Sequence, residues 1–412
     1  MKIEKIIPGG QAIGTSPEGK KIFFWNALPD ETVVEWKTTK NKSSYSEAIA
    51  ISVTNHSKYR VAPKDDFYLS TSPWQILDYN YELKQKSLLV QEIFREHGIK
   101  IDPPEVVTDG KDYFYRNKME YALYYDKEKG KIFPAFHARG SHCKIPITSS
   151  SIERPEIFQK AIEIIDDLNA RGEEARKYQS LLLRCNQNGE VSGGLFENHQ
   201  PHPVFDNLKD TILGHEYSYS PNGFFQINLP VYEMALKEIK KYINTDEVLD
   251  LYAGVGTIGL SVARDKRLTL VEVDKSAYGE LVKNLPKKAL SRSIFDDGSN
   301  TERLSPVTTG AKERSEKDAF LAILSKSEDV LDHINDGQTV IVDPPRAGLD
   351  AKLTACLLEA MPPKVIYLSC NPATQARDVA KLLEKYRIET VKTFNFFPHT
   401  PHIENLIVLS LK

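Results

Sequence analysis

The sequence is poor in cysteine and has no long apolar run. Only four cysteines occur among its 412 residues, and none of them forms a C-x-x-C pair, so neither a disulfide framework nor a zinc site is indicated. No apolar run approaches the roughly 18 to 20 residues that a membrane helix needs. The first ten residues also lack the apolar core of a secretion signal. We therefore expect a protein of the reducing cytoplasm that has no membrane partner.

Strong positive charge is also missing. The chain has 54 basic and 57 acidic side chains, which gives a formal net charge of −3. This balance argues against a nucleic-acid coat protein, which would be basic. It leaves room for an RNA enzyme with a local basic groove, because such binding depends on where the charge lies. The length suits two or three globular domains, and we expect a monomer.

The pattern of apolar residues changes twice along the chain. Residues 1–56 contain short strand-like runs with interleaved basic and aromatic residues, which favours a small β-barrel that is either structural or binds single-stranded nucleic acid. Residues 57–205 combine strand-like runs with the helical stretches Tyr81–His97 and Pro155–Arg171, and we interpret them as an α+β domain. In residues 206–412 strand-like and helical segments alternate, which predicts a mostly parallel sheet covered by helices.

A glycine-rich loop marks a candidate cofactor site. Residues 248–259 run from a predicted strand through Gly254, Gly256 and Gly259 into a predicted helix, so a ligand could approach the backbone closely. The next predicted strand ends in acids, of which Glu272 is the better candidate for ribose hydroxyls because Asp274 could cap the following helix. This pattern alone fits either a dinucleotide or S-adenosylmethionine. The later motif D-P-P-R at 343–346 favours a methyltransferase that acts on bases.

Cys370 is a candidate nucleophile. It follows the apolar run Lys364–Leu368, and Pro372 prevents that strand from continuing. Cys370 is therefore expected on a turn at the carboxyl end of a strand, where ligands bind in open α/β sheets. A buried core cysteine is an equally good interpretation of the position alone.

The order of the motifs resembles the S-adenosylmethionine-dependent RNA uracil-5-methyltransferases, which make 5-methyluridine in rRNA and tRNA. The resemblance covers nearly the whole chain. The motifs are Y-R-N-K at 115–118, F-F-Q-I-N at 224–228, D-L-Y-A-G-V-G at 250–256, D-P-P-R at 343–346, S-C-N-P-A-T at 369–374 and F-P-H-T-P-H-I-E at 397–404. The resemblance implies an OB-like, TRAM-like β-barrel, an α+β middle domain and a class I, Rossmann-like α/β methyltransferase domain.

The resemblance also assigns candidate site residues. Those that match the family's cofactor contacts, together with the glycine loop, are Gln226, Tyr252, Gly254, Thr257, Glu272 and Asp343. Those expected to face the RNA or to shape the pocket for the target base are Arg116, Asn117, Lys118, Phe225, Pro344, Arg346 and His399. From composition alone, the Y-R-N-K segment would be a solvated charge run within a strand predicted from Phe114 to Tyr125.

The chemistry explains why a thiol and a carboxylate are needed. Carbon 5 of uracil is a poor nucleophile, and a thiolate that adds at carbon 6 turns the ring into an enolate whose carbon 5 can attack a methylsulfonium. The resemblance assigns this thiolate to Cys370. A carboxylate must then remove the proton from carbon 5 before the thiolate can leave, and the resemblance assigns that role to Glu404.

The sequence departs from the family pattern in three places. Residues 69–75 lack the three cysteines that many bacterial members use for an iron–sulfur cluster, so we predict no cluster. Gly310–Glu313 replaces the glycine-acid segment expected after the third strand, within a weakly patterned stretch at 287–318 that predicts a loop insertion. Asn395 stands where an Asp is usual, so one hydrogen bond near the site could differ.

These observations predict an RNA 5-methyluridine synthase. The leading substrate is 23S rRNA, because a TRAM-like barrel accompanies the rRNA enzymes more often, and tRNA is next. One alternative is methylation of cytosine at carbon 5, which also uses a cysteine but does not need a carboxylate such as Glu404. A second is an RNA-binding or RNA-folding factor whose methyl transfer is dispensable.

Overall fold

The computed structural model describes residues 1–202, 205–286, 289–293 and 319–412. Most of the loop insertion predicted at 287–318 therefore lies outside the described residues, and so does Gly310–Glu313. Within the described ranges, none of the helices combines the length and the apolar character needed to cross a membrane.

The first sheet forms a barrel-like domain. Its strands are β1 (Ile3–Ile6), β2 (Ala12–Thr15), β3 (Lys21–Trp25), β4 (Thr32–Asn41) and β5 (Tyr45–Thr54), in the order β1-β2-β3-β5-β4. Side chains alternate between the two faces, so that Ile22 and Phe24 are buried inside. Hydrogen bonds from Ile3 N–H to the Glu31 carbonyl and from Val33 N–H to the Met1 carbonyl bring the two edge strands together. The predicted strand-rich, barrel-like domain is confirmed.

The segment after the barrel packs on the carboxy-terminal domain. It contains α1 (Tyr68–Thr71), α2 (Tyr79–Glu96) and β6 (Val106–Val107). The Asp78 carboxylate caps α2 by accepting the Tyr81 N–H at 3.0 Å. The apolar face of α2 shares one core with the large carboxy-terminal sheet, and β6 pairs with an edge strand of that sheet. The prediction groups this segment with the middle domain, because helical spacing reveals an apolar face but not which sheet covers it.

The middle domain is a six-stranded antiparallel sheet covered by one long helix. Its elements are β7 (Lys118–Asp126), β8 (Lys131–His137), β9 (Lys144–Pro146), α3 (Pro155–Ala170), β10 (Ser180–Cys185), β11 (Val191–Glu197) and β12 (Gln200–His202), with the strands in the order β12-β11-β10-β7-β8-β9. The apolar face of α3 packs on the sheet. The predicted strand begins at Lys118 rather than Phe114, because Phe114 has a φ of 55°, which an extended strand cannot include.

The carboxy-terminal domain is a nine-stranded sheet with helices on its faces. Its elements are β13 (Leu208–Ile212), β14 (His215–Tyr219), α4 (Leu229–Lys240), β15 (Glu247–Leu251), α5 (Thr257–Val262), β16 (Arg267–Glu272), α6 (Lys275–Asn284), β17 (Leu290–Ser293), β18 (Phe320–Leu324), β19 (Gln338–Val342), α7 (Ala351–Ala360), β20 (Lys364–Ser369), α8 (Pro372–Leu382), β21 (Tyr386–Phe394) and β22 (Glu404–Leu411). The sheet order is β17-β18-β16-β15-β19-β20-β22-β21-β6, while β13 and β14 form a separate hairpin. The predicted α/β fold is confirmed.

The strand directions gather the candidate residues at one edge. From β17 to β20 the neighbouring strands are parallel, so their carboxyl ends lie together. Strand β22 runs antiparallel to β20, and its first residue therefore lies at the same edge. The residues that follow β15, β19 and β20 lie at the same edge of the sheet as the start of β22.

Candidate active site

Cys370 and Glu404 are brought together by the register of β20 and β22. Ser369 pairs with Asn405, so the residue after Ser369 and the residue before Asn405 are neighbours at the sheet edge. Glu404 is only 5% exposed, and burial together with the charge of Asp343 raises its pKa well above the ordinary value. This edge therefore holds a thiol beside a buried carboxyl group.

The Cys370 thiol is a weak acid in this setting. Burial raises its pKa to about 11, and the neighbouring charges of Glu404 and Asp343 act in the same direction. The Arg346 guanidinium opposes them. Arg346 follows β19, is exposed to solvent, and its carbonyl accepts a hydrogen bond from the Asn371 side chain at 2.8 Å. Arg346 is thus the cation that favours the thiolate.

Two further acids lie at the same edge. Burial raises the pKa of Asp343 to about 7 and that of Asp250 to about 8. Asp250 is 0% exposed, and its Oδ2 accepts the Gly259 N–H at 2.8 Å, whereas its Oδ1 has no hydrogen-bond partner among the described residues. The sequence reasoning did not single out Asp250, although a carboxylate inside the apolar run V-L-D-L was a signal.

The glycine loop contains three residues with left-handed backbone conformations. Tyr252, Gly254 and Gly256 have φ values of 63°, 57° and 88°, and α5 begins immediately afterwards at Thr257. A Cβ atom on Gly256 would lie 2.4 Å from a Leu281 methyl group, so only glycine fits. The loop therefore turns sharply into the helix.

Glu272 is oriented towards this loop. Its Oε2 accepts the Gly254 N–H at 2.7 Å, and its Oε1 accepts the N–H groups of Val273 and Asp274 at 2.8 and 2.7 Å. Asp274 caps α6 by accepting the Ala277 N–H at 2.8 Å, as the sequence suggested. Glu272 therefore remains the acid that can contact a ligand bound along the loop.

The Y-R-N-K segment contacts the F-F-Q-I-N loop of the same chain. Asn117 is 4% exposed, and its side-chain amide donates to the Gln226 carbonyl at 3.0 Å. The Lys118 ammonium group donates to the carbonyls of Asn222 and Gly223 at 3.1 and 3.2 Å, and burial lowers its pKa to about 8. Asn117 and Lys118, expected to face RNA, thus hold the loop that carries a candidate cofactor contact, while Arg116 is half-buried beside them.

Arg184 on β10 holds the same loop, and the sequence reasoning missed it. Its guanidinium is 1% exposed and donates to the Phe225 carbonyl at 2.6 Å. It lies over the stacked rings of Tyr219 and Phe225, whose centroids are 3.9 Å apart. Burial lowers the pKa of Arg184 to about 10. A charged residue inside the strand L-L-L-R-C was the available signal.

The remaining predicted pocket residues differ in accessibility. Phe225 and His399 are 3% and 2% exposed, and Pro344 is also buried. His399 has a φ of 59°, and its ring packs on Tyr113 at a centroid distance of 4.3 Å. Arg346 is the exposed member of this set. The described side chains therefore place Arg346 at the surface of the site and the other three inside the protein.

The edge suits a cationic ligand with hydroxyl groups. The charge of Asp343 repels the charges of Asp250 and Glu404, and a positive charge beside Asp343 would stabilise its carboxylate. Glu272 and the open side of Gly254, where an added Cβ would meet no atom within 4 Å, leave room for a ribose next to the loop. A sulfonium-bearing adenosine derivative fits both features.

The chain is similar to known proteins over most or all of its length. The model of the tRNA (uracil-5-)-methyltransferase family matches residues 206–412. Uncharacterised RNA methyltransferases of Enterococcus faecalis and Bacillus anthracis are each 26% identical to this chain, covering 94% and 100% of it and 92% and 96% of their own lengths. The solved Pyrococcus abyssi tRNA (uracil-54, C5)-methyltransferase in complex with S-adenosyl-L-homocysteine has a TM-score of 0.72 at 21% identity, over 99% of both chains. That likeness shows a shared fold.

The electrostatics of Cys370 predict how fast it is alkylated. We expect Arg346→Gln to slow the reaction of Cys370 with iodoacetamide, because losing the cation raises the thiol pKa and the thiolate fraction falls about tenfold per pKa unit. Arg346→Lys should retain most of the rate. Peptide-resolved mass spectrometry measures the alkylation rate of Cys370. The exposed Cys143 serves as an internal reference, and its alkylation rate should not change. Equal rates at Cys370 in wild type and Arg346→Gln would contradict this account.

Proposed function

We propose that this chain, which belongs to the tRNA (uracil-5-)-methyltransferase family, methylates carbon 5 of a uridine in RNA. The reaction passes through a covalent bond from Cys370 to carbon 6 of the base. The observation that carries the mechanism is the register of β20 and β22, which makes Cys370 and Glu404 neighbours. S-adenosylmethionine supplies the methyl group as an electrophilic sulfonium substituent. The roles below belong to the side chains of this protein.

Cys370 forms the covalent bond. Its thiolate adds to carbon 6 of uracil, and the electron pair of the 5,6 double bond moves into the ring so that carbon 5 becomes nucleophilic. Because the thiol pKa is about 11, the thiolate needs nearby positive charge, and Arg346 supplies part of it. The target uridine has to leave any base-paired stem to reach this edge.

Glu404 completes the reaction. After methylation, carbon 5 carries both a methyl group and a proton. The Glu404 carboxylate takes that proton, the 5,6 double bond forms again, and the Cys370 thiolate leaves. Burial raises the pKa of Glu404, which makes its carboxylate a stronger base than an exposed one. The choice of uridine over cytosine rests on the family, because a base must remove the carbon 5 proton from either pyrimidine.

The cofactor is held along the glycine loop in this proposal. Gln226, Tyr252, Gly254 and Thr257 contribute to the cavity wall, and Glu272 accepts hydrogen bonds from the ribose. Asp343 lies next to the positive charge of the cofactor, which offsets the repulsion among the buried acids. The contacts of Asn117, Lys118 and Arg184 with the 222–228 loop support this assignment, because they fix the position of Gln226.

The RNA is 23S rRNA or tRNA. The prediction of 23S rRNA depends on the N-terminal barrel. The P. abyssi protein, named a tRNA enzyme, shares the fold over 99% of both chains, so the barrel does not separate the two classes. Arg116, exposed Arg346 and Phe224, which is 74% exposed, supply charge and an aromatic face for either RNA.

Cofactor binding is expected to release protons. The pKa of Asp343 is about 7, so part of it is protonated near neutral pH, and the sulfonium charge should lower that pKa on binding. We expect release to peak at about pH 6 to 7 and to fade above about pH 8, where the carboxyl group is already ionised. Titration calorimetry in buffers of different ionisation enthalpy measures the number of protons released on binding. S-adenosylhomocysteine, which lacks the sulfonium charge, should release fewer protons, as should Asp343→Asn. Equal release by both ligands would argue against this placement.

The covalent mechanism predicts a trapped adduct. Glu404→Gln is expected to accumulate a protein–RNA species that survives denaturation, because the proton at carbon 5 is not removed and Cys370 cannot leave. Denaturing electrophoresis with labelled RNA and methyl donor detects it. Cys370→Ala should bind RNA but form neither adduct nor product. Recovery of only free RNA from Glu404→Gln, alongside an active wild type, would sink the proton-removal role.

The target is identified by the modification that disappears. We expect RNA from a deletion strain to lose 5-methyluridine at one or more positions in 23S rRNA or tRNA, as located by mass spectrometry of RNase fragments. Wild-type protein should restore the mark, and Cys370→Ala should not. An unchanged modification profile together with defective ribosome or tRNA maturation would instead support the RNA-folding role.

A further inference from the structure

The backbone just before Glu404 is held by groups from distant parts of the chain. The four carbonyl groups of residues 396–399, which we call the anchored segment, each accept a hydrogen bond. The donors are the Asn228 side chain (3.3 Å), the Lys86 ammonium group (3.0 Å), the Tyr115 hydroxyl (3.0 Å) and the Trp74 N–H (3.0 Å). They come from the start of α4, from α2, from the loop before β7 and from the segment between α1 and α2.

A fully buried ion pair on α2 contributes most to this arrangement. Glu82 and Lys86 lie one helical turn apart, are both 0% exposed, and are joined by a 2.9 Å contact between Oε1 and Nζ. Lys86 also donates to the Asn395 side chain at 2.6 Å, just before the anchored segment. The Glu82 carboxylate accepts the N–H of His399, the last residue of the segment, with its oxygens at 3.0 and 3.1 Å. The pair thus fixes both ends of the segment.

Stability alone does not account for this pair. Moving two charges out of water is costly, and a well-packed apolar pair of similar volume often stabilises a fold as well or better. The charges instead supply oriented hydrogen bonds, because each one binds a backbone group or a side-chain amide in or next to a single short segment. That segment continues through Thr400 to His402 into β22, whose first residue is Glu404.

We infer that Glu82 and Lys86 are positioning residues for the removal of the carbon 5 proton. They fix the anchored segment, and the segment sets where the Glu404 carboxylate lies relative to the base bound to Cys370. The inference rests on the proposed covalent mechanism. In the step concerned, the proton moves from carbon 5 to the Glu404 carboxylate, its electron pair forms the 5,6 double bond, and the carbon–sulfur bond breaks to release the Cys370 thiolate.

The double variant Glu82→Gln, Lys86→Met tests this role, because it removes both charges together and leaves neither one buried alone. We expect it to methylate RNA in the first turnover but to clear the adduct slowly, so that the denaturation-stable fraction rises and kcat falls on the order of tenfold to a hundredfold. The ratio kcat/KM for RNA should change little, because methyl transfer precedes the slowed step, so KM should fall together with kcat. Quenched-flow sampling with labelled methyl donor separates methyl transfer from adduct release.

A matched control lies on the strand that carries Cys370. Lys364 is the first residue of β20, at the end of the strand opposite to Cys370, and its ammonium group donates to the Ser410 hydroxyl at 3.1 Å and pairs with Glu389. Lys364→Met should lower thermal stability without raising the adduct fraction. Tyr115→Phe, which deletes only the hydroxyl bound to the Pro398 carbonyl, perturbs the anchored segment with little risk to folding and should raise the adduct fraction modestly.

The outcomes separate the two claims. If Glu404→Gln forms no adduct, the covalent mechanism itself fails. If Glu404→Gln forms the adduct but the folded double variant clears it at the wild-type rate, only the positioning role is overturned. If the double variant does not fold, Tyr115→Phe provides the test instead. Release of the adduct by Tyr115→Phe at the wild-type rate would then overturn the inference. The inference also fails if the double variant accumulates only as much adduct as Lys364→Met does, because loss of stability alone would then explain the effect.

Discussion

Burial of ionisable groups at the carboxyl edge of the nine-stranded sheet is the constraint from which the chemistry of this protein follows. Low exposure raises the pKa of Asp343, Glu404 and Cys370 together. For a carboxylate this is useful, because a raised pKa makes it a stronger base. For the thiol it is a handicap, because the nucleophilic form becomes scarce. In the proposed mechanism the thiolate therefore needs positive charge nearby, which Arg346 and a cationic methyl donor would supply.

The sequence predicts the local elements well and their assembly less well. Helix α3 and strand β8 follow directly from the spacing of apolar residues, whereas the predicted strand at Phe114 starts late because one residue adopts a positive φ. Periodicity cannot reveal which sheet covers α2, and in the structure this helix shares its core with the carboxy-terminal sheet. Cys370 and Glu404 are neighbours because of the register between β20 and β22, although they are far apart in the sequence. The order of the motifs suggests this proximity only through the family resemblance. Asp250 and Arg184 were visible as charges inside apolar runs.

The Y-R-N-K segment illustrates why a basic motif is ambiguous in sequence. Its cations suit phosphate contacts, but a lysine can equally donate to backbone carbonyls of the same chain. In the structure Asn117 and Lys118 bind the loop that carries Gln226, and Arg184 holds the same loop from the next strand. The middle domain is therefore bonded directly to the loop that the proposed function places beside the cofactor. An RNA that docks on Arg116 would contact a segment whose next two residues already position the cofactor loop.

The anchored segment extends this connection to the barrel. Trp74 donates its indole N–H to the Gly10 carbonyl at 2.9 Å, while its backbone N–H binds the His399 carbonyl. Gly10 has a φ of 89°, and a Cβ atom there would lie 2.1 Å from Pro401, so the barrel packs directly on the chain that leads to Glu404. Close-packed contacts of this kind transmit displacement, because such an interface has little room to deform. The seating of the barrel is therefore coupled to the backbone just before Glu404, which is the base of the proposed mechanism.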